Sequence, residues 1–217
     1  MNIRIDQSIL EKLPDFNIIA YSMDVTVEDS SRIESLILKI EEQIMEEYSI
    51  ESILNIPLIK EARDGYKALG KDPSRYRLAC ESLLRRLVKG NKLYRINNLV
   101  DAGNILSIKT KRSVAVLDYD KIVGDILIRK GQATDEYEGI GRGKINIENI
   151  PLYEDETGPF GSTTSDTPRT MVTNETKKIL LFVVCFGKDN IEDNKKDAVE
   201  IFTEYCCAKN IVEMKVK

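Results

Sequence analysis

Three asparagines and an aspartate interrupt an otherwise apolar run in residues 95–104, RINNLVDAGN. Asparagine is unfavourable inside a helix because its side chain competes for backbone hydrogen bonds, so each amide here requires a structural partner or a function. Asn98, Asp101, Asn104 and Ser107 recur at every third position. This spacing predicts a short helix with a polar and an apolar face, which begins at Asn98 as its cap.

The absence of histidine excludes several kinds of chemistry. None of the 217 residues is a histidine, which removes the Ser-His-Asp and Cys-His arrangements and the commonest metal ligand. The four cysteines form neither a CxxC pair nor a spaced disulfide framework, so we expect reduced thiols and no structural zinc. Chemistry in this chain therefore depends on carboxylates, hydroxyls, lysine, backbone amides or the substrate, and we expect no metal and no cofactor.

Hydrophobic patterning predicts both strands and helices. FNIIAYSM (16–23) and KKILLFVVCFG (177–187) are dense enough in apolar residues to be buried strands. The other predicted helices are one begun by a Ser31–Glu34 capping box, one over 58–69, one over 73–89 that Asp72 caps, and one over 194–209. The other predicted segments are strands over 113–118 and 125–129 and a loop over 153–169. No apolar run reaches the length of a membrane span and the first residues lack a signal-peptide layout, so we expect a cytoplasmic protein without a membrane partner.

The predicted helix over 73–89 is strongly basic. The cations on it and just after it are Arg75, Arg77, Arg85, Arg86, Lys89, Lys92 and Arg95. Because the net charge of the chain is −4, a partner that carries phosphates has to meet such a local basic surface. The alternative is that these charges only solvate an exposed helix face.

Two glycine-containing loops are candidates for ligand binding. GIGRGK (139–144) is superficially similar to a phosphate-binding loop, but no hydroxyl residue follows the lysine and a strand-like run begins at Ile145, so a tight hairpin is predicted. GSTTSDTPR (161–169) offers backbone amides, hydroxyls and two charges that would cradle a carboxylate, ester or ribose. Plain turn chemistry is the alternative for this loop.

The stretch RINNLVDAGNILSIKTKRSVAVLDYDKIVGDILIR (95–129) resembles the editing, tRNA-binding B3/B4 domain of the bacterial phenylalanyl-tRNA synthetase beta subunit and its freestanding relatives. The family pattern is Pro-Ile-Asn-Asn-x-Val-Asp, then x-x-Asn, then a strand, an Asp-Leu-Asp-Lys turn and a strand that ends in Arg. The matching residues of this chain are Ile96, Asn97, Asn98, Val100, Asp101, Asn104, Asp118, Asp120, Lys121 and Arg129. The similarity runs from about residue 60 to residue 187, in several blocks in order.

The resemblance implies an α+β fold of packed β-sheets with a helical layer. Within a single domain over residues 1–217, it implies a strand-helix extension over 1–59, the editing-domain core over 60–187, and a C-terminal helix and strand over 188–217. The family domain hydrolyses tyrosyl-tRNA and reads tyrosine through a Thr, a His and a Glu. Those positions fall here on Gly103, Ala115 and Phe182. Tyrosine specificity therefore does not carry over.

We accordingly expect a protein that binds tRNA or an aminoacyl-tRNA, with trans-acting deacylation of mischarged tRNA as a candidate activity. An activated ester needs chiefly a positioned water and a stabilised oxyanion, so a pocket can edit without a general base. The residues predicted to bind a small amino-acid-like ligand are Asn98, Asp101, Asn104, Arg129, Ser162, Thr163, Asp166 and Arg169. Those predicted to meet the RNA backbone are Arg85, Arg86, Lys89 and Lys92.

The alternative is a non-catalytic RNA- or protein-binding module. In that case Phe182 and Val116 close the old pocket, and Asn104 satisfies a buried backbone group. An open hollow lined by Asn104 and the Ser/Thr loop favours the enzyme, whereas a filled one favours the binding module.

Overall fold

Two four-stranded sheets and a layer of helices make up the fold, in a computed structural model that describes residues 1–217. The strands are β1 (Ile3–Ile5), β2 (Asn17–Asp24), β3 (Val114–Asp118), β4 (Ile126–Lys130), β5 (Glu138–Gly139), β6 (Gly143–Lys144), β7 (Pro151–Asp155), β8 (Gly158–Ser162), β9 (Lys178–Cys185) and β10 (Lys209–Glu213). The helices are α1 (Gln7–Leu10), α2 (Glu34–Glu47), α3 (Ile50–Ile53), α4 (Pro57–Leu69), α5 (Ala79–Val88), α6 (Asn98–Thr110) and α7 (Ile191–Cys206).

The first sheet is antiparallel, with the strand order β10-β2-β9-β3. The central strand β9 is an almost unbroken apolar run, which suits a strand that is buried on both faces. β2 pairs with β9 along its whole length, so the N-terminal extension supplies an interior strand. The second sheet has the order β1-β4-β7-β8, and β1 is parallel to β4. The predicted α+β fold with packed sheets is confirmed.

Aromatic residues join the two sheets. The Phe182 ring on β9 meets the Tyr153 ring on β7 edge to face, with 5.2 Å between the ring centroids. Tyr153 also packs against Phe160 on β8, and all three side chains are buried. Phe182 therefore fills the space between the sheets, where a large aromatic residue buries the most apolar surface.

The residue that caps helix α6 lies one position earlier than the spacing predicts. The Asn97 side chain is the cap and accepts a hydrogen bond from the backbone N–H of Val100 at 2.9 Å, so the prediction of an Asn98 cap was wrong. Both residues have a short polar side chain, and only the backbone conformation decides which of them caps the helix. Gly103 lets α6 approach β3 closely, because a Cβ at this position would lie 2.5 Å from Cγ2 of Val116.

Asn98 is fully buried and connects three segments. Its Oδ1 accepts a hydrogen bond from the Glu28 amide at 2.8 Å. Its Nδ2 donates to the carbonyl oxygens of Thr26 at 2.9 Å and Tyr205 at 3.1 Å. The start of α6 is thus fixed to the loop after β2 and to the end of α7. Oδ1 and both N–H groups of the Asn98 side chain have hydrogen-bond partners.

Three local predictions differ from the structure. The basic helix begins at Ala79 and not at 73, because the Asp72 carboxylate accepts a hydrogen bond from the Ser74 amide and holds a separate turn. α2 lacks the predicted capping box, since Asp29 caps a short turn ahead of it. The stretch 153–169 contains most of the β7–β8 hairpin, whose turn uses Gly158 at φ +117°.

GIGRGK forms the β5–β6 hairpin, as predicted, with Gly141 and Gly143 at positive φ. No helix of the protein is both long enough and apolar enough to cross a membrane.

We expect Asn98→Ala to lower the free energy of unfolding by ~2–3 kcal/mol, because it removes a fully buried side chain that makes three hydrogen bonds to distant segments. Urea denaturation measures this loss. The matched control is Asn104→Ala, six residues further along the same helix, where the side chain makes no hydrogen bond within the protein. Equal losses for the two variants would contradict a structural role specific to Asn98.

Candidate functional site

An open groove lies between α6, β3 and the loop after β8, and we call it the Asn104 groove. Its inner part has a volume of about 240 Å³ and its outer part about 490 Å³. The residues that line both parts are Ile96, Asn104, Val114, Ile140 and Asp166. The groove is open, so the alternative in which Phe182 and Val116 close it does not hold: Val116 lines its wall, and Phe182 lies between the sheets.

Exposed apolar residues concentrate at this groove. Of the nine large hydrophobic residues that are exposed in the protein, four line it: Tyr94, Ile96, Ile140 and Met171. The Tyr94 side chain is 67% exposed and Ile96 is 61% exposed. Apolar surface left in contact with water and gathered at one concave place is typical of a binding site.

Asn104 is the amide of the 95–104 segment that faces this groove. It is half-buried on α6, lines both parts of the groove and makes no hydrogen bond with the rest of the protein. A helix-interior amide without a partner is unfavourable unless it meets water or a ligand. Its two N–H donors and its carbonyl oxygen are therefore free to bind a polar molecule.

Asp166 is the second polar residue of the inner part. Its Oδ1 atom is buried and has no hydrogen-bond partner. Burial raises the pKa of the Asp166 carboxyl to about 7, because the charged form is poorly solvated there. No other ionisable side chain lines the inner part, so no cation offsets this cost.

The Ser/Thr loop builds the wall of the groove. The Ser162 hydroxyl accepts hydrogen bonds from the amides of Thr164 and Ser165 and donates to the Ser165 carbonyl. Thr163 is buried, and its hydroxyl binds the Tyr66 hydroxyl. The predicted ligand residues Ser162 and Thr163 thus shape the turn, while Thr164 and Ser165 line the outer part of the groove.

The two arginines predicted to order the site do not line the groove. Arg129 forms ion pairs with Glu154 and Asp135, with nitrogen–oxygen distances of 2.6 and 2.8 Å. Arg169 forms an ion pair with Asp155 at 2.9 Å and donates to the Gly158 carbonyl. These contacts hold β4 against β7 and close the β7–β8 hairpin, so we leave both arginines out of the proposed site.

Asn98 and Asp101 also lie away from the groove lining. Asp101 is buried, accepts a hydrogen bond from the Ile96 amide at 3.2 Å, and binds the Ser30 hydroxyl. Burial raises the pKa of its carboxyl. Of the four polar residues that recur along this helix, only Asn104 has free hydrogen-bonding groups at the Asn104 groove.

The cations on α5 and those just before and after it line a polar hollow beside the groove. We call this hollow the basic surface. The hollow has a volume of about 260 Å³, and its cationic residues are Arg77, Arg85, Arg86 and Lys89. Ser82 and Arg86 line both the basic surface and the outer part of the groove, so the two sites are continuous. The exposed Lys92 follows α5 and is not part of this lining.

The cations of the basic surface differ in whether another group of the protein already binds them. Arg85 forms an ion pair at 2.7 Å with Glu81, which is fully buried. Arg86 donates to the Lys92 carbonyl, and its guanidinium lies 4.0 Å from the centroid of the Tyr94 ring. Arg77 and Lys89 are exposed and form no ion pair, so their charges are available to a partner.

Sequence reasoning misses several residues of the outer part, among them Tyr94 and Arg142. Tyr94 lies just after the basic helix, and an aromatic residue beside clustered arginines is a signal typical of nucleic-acid binding. Arg142 belongs to the hairpin segment that is rejected as a phosphate-binding loop. Nothing in the linear sequence places that hairpin beside α6.

Comparison with known proteins identifies the family. The B3/4 domain profile matches residues 61–205, so the chain belongs to the B3/4 domain family and the match extends into α7. The phenylalanine-tRNA ligase beta subunit of Fusobacterium nucleatum subsp. nucleatum is 28% identical over 124 residues, which is 56% of this chain and 15% of that protein. The chain therefore aligns with a small part of this relative.

A solved structure shows the same fold. The N-terminal fragment of the phenylalanyl-tRNA synthetase beta-subunit from Pyrococcus horikoshii superposes with a TM-score of 0.55 at 13% identity. The superposition covers 100% of this chain and 51% of that fragment. The resemblance predicted from the sequence is confirmed.

We expect Asp166 to make stability depend on pH. The carboxyl binds its proton more tightly in the folded protein than in the unfolded chain, so the folded state loses stability as pH rises from the unfolded pKa toward about 7. Relative to Asp166→Asn, the wild type should lose more than ~1 kcal/mol between about pH 4 and about pH 8. Denaturation curves across this range measure the difference, and parallel profiles for the two proteins would contradict the burial of this charge.

Proposed function

We propose that this protein binds tRNA, with the RNA backbone on the basic surface and the aminoacylated 3′ end in the Asn104 groove. The observation that carries the proposal is the continuity of the two sites through Ser82 and Arg86. A strand whose phosphates contact α5 can continue into the groove, because the same two residues line both sites.

The charge distribution supports a local contact with RNA. With a net charge of −4, the chain as a whole repels a polyanion, so affinity has to come from the basic surface. Arg77 and Lys89 have no acidic partner to displace. Contacts of this kind release counterions from the phosphate backbone, which makes the affinity fall with added salt.

The shape of the groove supports a single-stranded end. The outer part, at about 490 Å³, lies in the size range of small-molecule sites, and the inner part, at about 240 Å³, adds a smaller hollow that is mostly apolar. Tyr94 offers an exposed ring at the outer part, with the Arg86 guanidinium against it. Unpaired bases of RNA stack on such aromatic side chains.

Deacylation is the finer function that we propose for this groove. Asn104 and Asp166 line the same hollow, and each has a polar side-chain atom without a hydrogen-bond partner in the protein. An amide that orients an ester carbonyl and a water held beside it are sufficient to promote hydrolysis of an activated aminoacyl ester. The relatives' names, which refer to phenylalanine-tRNA ligase, support a substrate from synthetase chemistry.

The alternative function is RNA or protein binding without chemistry. It no longer has the support of a closed pocket, because the groove is open. A groove that holds the 3′ end without promoting hydrolysis remains its specific form. Activity measurements separate the two functions.

We expect the double variant Arg77→Glu/Lys89→Glu to weaken tRNA binding by ~10-fold or more at about 0.1 M salt. The slope of log affinity against log salt concentration should also become less steep by ~1–2. Filter binding across a salt series measures both quantities. Lys12→Glu, which reverses an exposed charge near α1, is the matched control and should leave the affinity unchanged. Arg85→Glu is a poorer test, because it places a second acid beside the buried Glu81. A wild-type affinity that does not respond to salt would remove the RNA part of the proposal.

We expect the purified protein to deacylate at least one tRNA in a screen of tRNAs charged with correct and incorrect amino acids. Hydrolysis of that substrate should fall by ~10-fold or more in Asn104→Ala, because the ester loses a hydrogen-bond donor or acceptor. Thermal unfolding of the variant shows that the fold is kept. No hydrolysis of any charged tRNA, together with salt-dependent tRNA binding, would support the binding module and overturn the deacylase.

A further inference from the structure

We propose that the Asp166 carboxylate is the receptor for the protonated α-amino group of the bound aminoacyl moiety, which restricts the ligand to amino acids with a free amine and an apolar side chain. This inference rests on the proposed function, since it names the chemistry of the group that the Asn104 groove takes. It follows from three features of the groove.

The first feature is a carboxyl group without a partner. Oδ1 of Asp166 is buried and accepts no hydrogen bond. The atom lies against Gly161, where an added Cβ would come within 2.8 Å of it and within 2.6 Å of Cδ2 of Tyr153. A buried carboxyl that stabilises its own fold is normally hydrogen-bonded or paired with a cation, as Asp155 is with Arg169 in the neighbouring hairpin. No cation pairs with Asp166 and its Oδ1 accepts no hydrogen bond, which is expected of a group that a ligand completes.

The second feature is the charge of the groups around Asp166. Tyr137 and Tyr153 pack near the carboxyl, and burial raises the pKa of both phenols, so they remain neutral. Arg86 and Arg142 line the outer part of the groove, and neither forms an ion pair with Asp166. The inner part thus carries one acidic group and no basic group, which favours a ligand with a positive charge there.

The third feature is the apolar remainder of the inner part. Its other walls are formed by the side chains of Ile96, Val100, Val114, Val116, Ile140, Met171 and Val172. These walls favour an aliphatic or aromatic side chain over a polar one. Asn104 supplies the groups that bind the ester carbonyl or the amine from the helix side.

Together, one carboxylate, one free amide and apolar walls match the parts of an α-amino acid ester. The amine carries a positive charge near neutral pH, since α-amino groups have a pKa of roughly 7.7–8.0 in peptides. Bringing that charge to Asp166 offsets the desolvation of the carboxylate, so amine and carboxylate favour each other's charged forms. An N-acylated amino acid lacks the charge and leaves the carboxyl unpaired.

The test uses two small probes that do not hydrolyse: adenosine whose 3′ oxygen is replaced by an amide link to valine, and the same molecule with an N-acetyl group. By titration calorimetry near neutral pH, we expect the free amine to bind wild-type protein ~10-fold or more tightly than the acetylated probe. In Asp166→Asn the two probes should bind equally. Wild type measured at a pH about two units below 7 should also lose most of the preference, because the carboxyl is then protonated.

The outcomes separate this inference from the function on which it rests. Equal binding of the two probes to wild type, a preference that persists in Asp166→Asn, or no binding of either probe overturns the role of Asp166. The two small probes carry no RNA backbone, so the preference between them reports on the Asn104 groove, whereas loss of tRNA binding in Arg77→Glu/Lys89→Glu reports on the basic surface. The pH arm uses wild-type protein and keeps the proposal testable even if the variant fails to fold.

Discussion

The position of helix α6 is the constraint on which the candidate site depends. The buried amide of Asn98 fixes the start of the helix to the loop after β2 and to the end of α7, with donor–acceptor distances of 2.8 to 3.1 Å. Gly103 then lets the helix lie close to Val116 of β3. Since Asn104 follows Gly103 directly, the same contacts place its amide at the groove. A shift of α6 would change the groove before it changed the sheets.

The four polar positions at the start of α6 divide structural and ligand-facing roles. Asn97 caps the helix, Asn98 joins distant segments, and Asp101 holds the backbone ahead of the cap and the Ser30 hydroxyl. Only Asn104 retains free hydrogen-bonding groups. Most of the polar side chains in this segment therefore fix the position of the helix. Asn104, whose amide makes no hydrogen bond within the protein, is the one that faces the candidate site.

The fold and the family were predictable because they follow from local patterns. The apolar run of β9, the stop at Gly70 and the matching blocks from Ile96 to Arg129 are all visible in one sequence. The roles of Arg129 and Arg169 were not predictable, because their acidic partners lie up to 25 residues away and appear only when β4, β7 and β8 pair. Tyr94 and Arg142 were not predictable for the same reason, because they line the groove only when the β5–β6 hairpin lies beside α5 and α6. Polar residue type alone does not show whether a partner already satisfies the side chain.

We propose that the Asn104 groove, and no other hollow of the protein, receives the 3′ end of an aminoacylated RNA. Methyl-labelled protein titrated with a short RNA hairpin that carries a stable 3′-aminoacyl amide tests this directly by NMR. We expect chemical-shift changes at the methyl groups of Ile96, Val114 and Ile140, with Ile40 and Ile44 of the separate hollow between α2 and α6 unchanged. Changes at Ile40 and Ile44 alone, or at none of these methyl groups, would contradict it.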